Sequence, residues 1–238
     1  MQDYSVAMND SGIDFKLVET ADGSNSLYRS DLQETYHSNH GAFEESMHVY
    51  IHEGVDFYMR HHPERNELRV FEMGFGTGLN ALLTMRTAVE LSLKIAYHSI
   101  ELYPVPAEVM AKLNYTQLPG LESQSLNFQA VVDAPWDINT TINDAFELLK
   151  IKGDLFEYAN DFGSFDILYY DAFGLRAQPE VWEEKAFIVC FNLLKPGGVL
   201  VTYASNGTGR RAMEAAGFKV EKLQGAVGKR EMIRAIKP

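Results

Sequence analysis

Apolar positions along the chain change their spacing in a regular order. Residues 14–18 (DFKLV) and 26–28 (SLY) are short β-type runs on either side of an Ala-Asp-Gly-Ser turn, which predicts a hairpin. Residues 44–60 carry a helical pattern with a break expected near Gly54, and Pro63 ends it. From there strands and helices alternate. Strands are predicted at 68–73, 95–100, 146–152, 165–170 and 199–204. Helices are predicted at 79–91, where Leu79, Leu82, Leu83, Met85 and Val89 are apolar, and at 107–113, 179–194 and 210–216. Residues 116–140, with Pro119, Gly120 and Pro135, read as irregular. Two last strands, 218–223 and 231–236, are joined by 224–230, too short for a parallel crossover, so they pair antiparallel. The expected fold is α/β: a mostly parallel, doubly wound, seven-stranded sheet ending in an antiparallel hairpin. Residues 1–66 form a small extension packed on a core of 67–238.

Composition narrows the class. The chain has 238 residues, 46% hydrophobic and 23% charged, ordinary values for a soluble protein. No apolar run approaches the roughly 20 residues needed to span a bilayer, and the opening MQDYSVAMND is polar and acidic, unlike a secretory signal. The one cysteine, Cys190, lies in the apolar run AFIVCFNLL and reads as core filler, so no internal disulfide forms and a cytoplasmic location is expected. Net charge is −12, which argues against non-specific binding to nucleic acid. The charge is uneven, however: −17 over residues 1–195 and +5 over 196–238. A basic C-terminal lobe suits phosphate contact, although a solvated surface has the same composition.

Glu72-Met73-Gly74-Phe75-Gly76-Thr77-Gly78-Leu79-Asn80 follows a strand and opens a helix. Ligands of such sheets bind beyond the carboxyl ends of the strands, and glycines let them approach the main chain. A dinucleotide fingerprint needs Gly or Ala where Leu79 stands, and no Gly-Lys-Ser/Thr follows to make a phosphate loop. The pattern E-x-G-x-G-x-G instead resembles motif I of S-adenosyl-L-methionine methyltransferases, whose Rossmann-like sheet also ends in a hairpin. Glu72, Gly74, Gly76, Thr77, Gly78 and Asn80 are therefore candidate cofactor residues, the acid suiting a ligand that carries an ammonium. Glu101, at the end of the second strand, is placed to accept from ribose hydroxyls. Asp154, after the third, is placed to accept from an adenine amino group or to cap the helix that follows.

Asp171-Ala172-Phe173-Gly174 follows the fourth strand. Enzymes that methylate exocyclic amines carry an Asp/Asn-Pro-Pro-aromatic loop there, and the resemblance is positional. An aliphatic amine must lose a proton before it attacks, and a carboxylate such as Asp171 can orient it and accept that proton. Phe173 can stack on a base or face a cation. Asp171 as a mere cap is the competing reading.

Several stretches resemble one family, the tRNA 5-methylaminomethyl-2-thiouridine methyltransferases, in stand-alone form. They are Tyr36-His37-Ser38-Asn39-His40-Gly41-Ala42-Phe43-Glu44-Glu45-Ser46, the Gly74–Asn80 loop, Tyr170-Asp171-Ala172-Phe173 with Pro179 and Trp182, Arg210-Arg211, Ala216-Gly217-Phe218, and Gly228-Lys229-Arg230-Glu231-Met232. The first and last are not general methyltransferase features. Gly174 and Leu175 depart from the family's usual Ala-Pro. The resemblance implies N-methylation of the 5-aminomethyl group of wobble uridine in tRNA, with S-adenosyl-L-methionine as donor. It also implies that Glu44, Glu45 and Ser46 lie near the cofactor or amine, and that Arg210, Arg211, Lys229 and Arg230 contact phosphate. Many members are fused to an FAD-dependent oxidase, for which this chain is too short. Elementary physics reads Glu44 and Glu45 as a first-turn pair favoured by the helix dipole. His48 and His52 stand at i, i+4, but H-E-x-x-H is absent and no metal is expected. Competing functions are a methyltransferase or aminopropyltransferase acting on a small amine, and a non-catalytic cofactor-sensing or partner-binding module.

Overall fold

The computed structural model describes residues 4–8 and 12–238. Residues 1–3 and 9–11 of the expected extension, and with them half of the polar N-terminal decapeptide, lie outside the described residues. The hairpin predicted near the N-terminus is part of a four-stranded antiparallel sheet: β1 (Tyr4–Met8), β2 (Asp14–Glu19), β3 (Asn25–Arg29) and β4 (Glu34–Thr35). A continuous helical stretch follows: α1 (Ala42–Ser46), wider π-helical turns over Met47–Asp56, and α2 (Phe57–His61). It is not broken at Gly54. A Cβ there would sit 3.2 Å from the Tyr169 ring and 3.4 Å from Val201, so glycine lets the helix lie close on the sheet.

The main sheet has eight strands in the order β11-β12-β10-β9-β5-β6-β8-β7. Strands β5 (Glu67–Met73), β6 (Lys94–Glu101), β8 (Phe146–Lys152), β9 (Phe165–Tyr170) and β10 (Leu194–Thr202) are parallel. β11 (Lys219–Gln224) and β12 (Glu231–Ile236) form the expected antiparallel end. The strand beyond the seven expected is β7 (Thr140–Asn143), antiparallel on the β8 edge. The stretch read as irregular also holds the helix Ser125–Asp133. Gly120 and Pro135 bracket that helix rather than dissolve it, because its buried Phe128, Val131 and Val132 reach the core.

Period-2 alternation splits the sheet's side chains between two faces. Val70, Tyr97, Leu148, Ile167 and Val201 face a core roofed by α3 (Leu79–Glu90), the π-helical turns and the N-terminal sheet, whose Phe15 and Leu27 join the same cluster. Phe71, Leu168, Leu200 and Ile233 face a second core with Cys190 and Phe187 from the helix Glu184–Leu193 and Met213 from Gly207–Ala215. Cys190 is fully buried, as its run predicts. Among the described residues no helix is long and apolar enough to cross a membrane. The chain visits β5, β6 and β8 on one side, then crosses to β9 and β10. The reversal of strand order falls between β5 and β9, where such sheets leave a crevice.

Candidate active site

Register brings the glycine loop and Asp171 together. Met73 of β5 stands opposite Tyr170 of β9, so Gly74 and Asp171 leave the sheet side by side. Main-chain bonds stitch the strand ends: Asp171 N to the Met73 carbonyl (2.9 Å), Gly74 N to Ile100 (2.9 Å) and Gly153 N to Glu101 (3.1 Å). Gly74 has φ 95°, and a Cβ there would fall 2.5 Å from the Asp171 carbonyl oxygen. Glycine is therefore required by both conformation and space.

The cleft above these ends is lined by Gly74, Gly76, Thr77, Asn80, Glu101, Asp154, Asp171 and Phe173 among the expected residues, and by Arg29, Tyr36 and His37 from the N-terminal sheet and the segment after it. Glu101 holds the loop: its carboxylate accepts from Gly76 N (3.2 Å) and Tyr103 N (2.9 Å), and burial raises its pKa. Thr77 accepts from the Tyr115 hydroxyl (2.8 Å). Asp154 accepts from Phe156 N (2.9 Å), capping the short turn Leu155–Glu157, while it also lines the cleft. Gly78 starts α3 with φ 77°.

Asp171 accepts from the Tyr50 hydroxyl (2.6 Å) at one oxygen and from the Asn80 amide (2.8 Å) at the other. Burial raises its pKa to about 7; Tyr50 and Asn80 act in the opposite sense, and the Glu45 carboxylate adds to the rise. The same Asn80 nitrogen donates to Glu72 (3.0 Å), whose other oxygen accepts from Ser99 (2.6 Å). Glu72 is completely buried, off the cleft lining, and pushed up to about 8 by burial. It meets the cleft through Asn80. Since the amide nitrogen serves two carboxylates, the Asn80 oxygen is the group left over, and it is buried with no partner.

Phe173 meets Tyr36 edge-on at 4.9 Å, with the Arg29 guanidinium 5.5 Å from its ring. Its main chain is fixed by Gln178 (3.1 Å) and Trp182 (2.8 Å). Arg29 is committed to Asp31 through two bonds of 3.1 and 2.6 Å.

The remaining expected residues lie off the lining. Glu44 is exposed, its amide donating to Asp22 (3.1 Å). Glu45 and Ser46 are buried behind the cleft. Lys229 turns inward to pair with Glu45. Arg211 and Arg230 are exposed, and Arg210 pairs with Glu214 (2.6 Å). Tyr50 and Tyr203, whose hydroxyl donates to the Ala172 carbonyl (2.8 Å), have no local signature, because the partners they serve lie far along the chain. Tyr36 and Arg29 join the cleft through Phe173, equally distant in sequence.

The lining suits S-adenosyl-L-methionine. Carboxylates of Glu101, Asp154 and Asp171 and the unpartnered Asn80 oxygen are acceptors for hydroxyl, amino and ammonium groups. Among the described residues, the one cation on the lining, Arg29, is already paired with Asp31.

The comparisons with known proteins agree. Residues 111–238 match a family described as S-adenosyl-L-methionine-dependent methyltransferase. A tRNA 5-methylaminomethyl-2-thiouridine biosynthesis bifunctional protein MnmC from Pseudomonas savastanoi pv. phaseolicola is 27% identical over 212 residues, 86% of this chain and 32% of that protein. Its namesake from Aeromonas salmonicida is 29% identical over 223 residues, 86% and 33% of the two chains. The chain thus spans about a third of the length of these relatives. In fold it is similar to MNMC2 from Aquifex aeolicus (TM-score 0.71, 22% identity, 98% of this chain and 75% of that one). It is also similar to spermidine synthase from Thermotoga maritima (TM-score 0.62, 15% identity, 98% and 71%). With its family match covering more than half of its length, the chain belongs to the S-adenosyl-L-methionine-dependent methyltransferases.

Proposed function

We propose that this chain methylates the 5-aminomethyl nitrogen of wobble uridine in tRNA, giving 5-methylaminomethyl-2-thiouridine. The observation that carries this reading is Asp171: a carboxylate beside the glycine loop, oriented by two donors and holding a proton affinity near neutrality. The names of the curated relatives, which align with 86% of the chain, supply the substrate class.

The glycine loop, Glu101, Asp154 and the Asn80 oxygen hold the cofactor. When bound, S-adenosyl-L-methionine supplies a methyl group on positively charged sulfur. Asp171 orients the attacking amine and takes its proton, so that a nitrogen lone pair is free. Tyr50 and Asn80 fix the carboxylate while it does so. Phe173, backed by Tyr36, offers the base an aromatic surface. Arg210, Arg211 and Arg230 contact tRNA phosphates outside the cleft. Residues 1–66 act as an extension that closes one wall with Arg29 and Tyr36. The setting is the cytoplasm, where tRNA is found.

The test is transfer of labelled methyl to tRNA bearing 5-aminomethyl-2-thiouridine, with tRNA lacking the aminomethyl group as control and Asp171→Ala beside the wild type. Label is expected on the modified wobble base alone, falling at least about 100-fold in the variant. Tight cofactor binding with label on a small polyamine and none on any tRNA would move the assignment to a small-amine transferase.

A further inference from the structure

Charges from two distant parts of the chain meet behind Asp171. Glu45, on α1, is buried; one oxygen accepts from Ser38 N (3.2 Å) and the other pairs with the Lys229 ammonium. Lys229 lies in the connection between β11 and β12, and its ammonium sits 3.8 Å from the centre of the Tyr203 ring. Tyr203 in turn donates to the carbonyl of Ala172, the residue after Asp171. The connection is held in place: Lys229 N donates to the Ala226 carbonyl (2.8 Å), and Gly228 passes so close to His40 that a Cβ would fall 2.1 Å from its ring. An ammonium from the far end of the chain is thereby held, with a carboxylate, against the wall of the candidate base.

We infer that Lys229 and Glu45 are a positioning pair that sets the proton affinity of Asp171, the cation and the carboxylate acting in opposite directions. The inference rests on the reading of Asp171 as proton acceptor. Neither residue lines the cleft. Glu45 is buried and Lys229 only partly exposed, so their charges are screened less than in open water, and they act on Asp171 in opposite senses. Removing the ammonium leaves the Glu45 carboxylate uncompensated and favours protonated Asp171. Removing the Glu45 charge frees the ammonium and favours the ionised form. The other titratable groups within electrostatic reach of Asp171 are Tyr50 from the π-helical turns, Glu72 from β5, Tyr97 from β6, Tyr115, and Tyr203 after β10. Burial keeps the tyrosines neutral through the relevant range, and Glu72 is common to every variant compared.

The experiment titrates Asp171 directly, by carbon NMR of protein labelled at the aspartate carboxyls, with no cofactor or tRNA added. Loss of one signal in Asp171→Asn assigns it. Lys229→Met is expected to raise the midpoint and Glu45→Gln to lower it, each by about one pH unit, while Lys229→Arg keeps the wild-type value. Where Lys229→Met does not fold, the fall in Glu45→Gln decides alone. Midpoints that coincide with wild type, or that move in the same direction, overturn the pair's role. Methyl transfer to modified tRNA is followed on the same proteins. Opposed midpoints with no transfer by the wild type would sink the tRNA assignment and leave the pair's role standing.

Discussion

Asp171 carries a proton affinity near the working pH because it is buried among groups that do not fully compensate its charge. Its folded pKa, about 7, lies above the ordinary 3.8, so the carboxylate forms only as pH rises through that value. The kcat/KM of methyl transfer is accordingly expected to climb between about pH 6 and 8. A flat profile across that range would exclude Asp171 as the base. Tyr50→Phe removes one of the two donors to an ionised group, which costs roughly 1.5–3 kcal/mol. Methyl transfer should fall by about 10- to 100-fold with little change in cofactor Kd, measured by calorimetry. An unaltered rate would show that Asn80 alone suffices to orient the carboxylate. Lys150 offers a separate test. Its ammonium is buried, donates to the carbonyls of Val131 and Val132 at the end of a helix, and is pushed down to about 8 by burial. Between about 8 and its ordinary 10.5 the unfolded chain binds more protons at this site than the folded one. This residue's contribution to stability therefore rises with pH through that window. Lys150→Met should lack the rise, so chemical denaturation of variant and wild type at several pH values must give curves that converge or separate between these limits. Parallel curves would refute the assignment.

Elements with a uniform period are legible in the chain, and those that depend on partners are not. The runs ending at Met73, Ile100, Lys152 and Tyr170 give β5, β6, β8 and β9 nearly to the residue: β9 is buried at every position and reads as a near-continuous apolar run, while β8 alternates buried and more exposed positions with the period of a strand. β7 escapes notice since Thr140–Asn143 is a short edge strand with little burial, defined by its bonds to β8. Gly54 serves close packing rather than a break: Tyr169 and Val201 occupy the space a side chain would need. In the site, the loop and Asp171 are readable from their place after strands. The bond from Tyr50 is not, since it joins residues 121 positions apart. Nor does the sequence distinguish Lys229, turned inward to Glu45, from its exposed neighbour Arg230. At the strand-to-loop junction, Gly74→Ala combines a φ of 95° with a Cβ 2.5 Å from a carbonyl oxygen. It is expected to destabilise the fold by about 2 kcal/mol and weaken cofactor binding, read by denaturant titration and calorimetry. Unchanged stability would mean that the Asp171 main chain yields readily.

Across the whole molecule, charge is segregated: −17 over residues 1–195 and +5 over the remainder. An acidic body repels an RNA while a basic end attracts it, which favours one orientation of approach. Affinity for tRNA should fall steeply with salt, and joint Arg211→Ala and Arg230→Ala substitution should weaken it on the order of 10-fold with a shallower salt slope. A slope identical to wild type would place the RNA on another face. The two cores are continuous with different parts of the chain, the first drawing in the N-terminal Phe15 and Leu27, the second closed around Cys190. That single thiol makes the protein its own stopwatch. Because the sulfur is sealed beneath the sheet, an alkylating reagent can reach it only when the second core opens. The rate of alkylation therefore times that opening, and a saturating ligand across the sheet that slows it would reveal how far the two ends of the molecule breathe together.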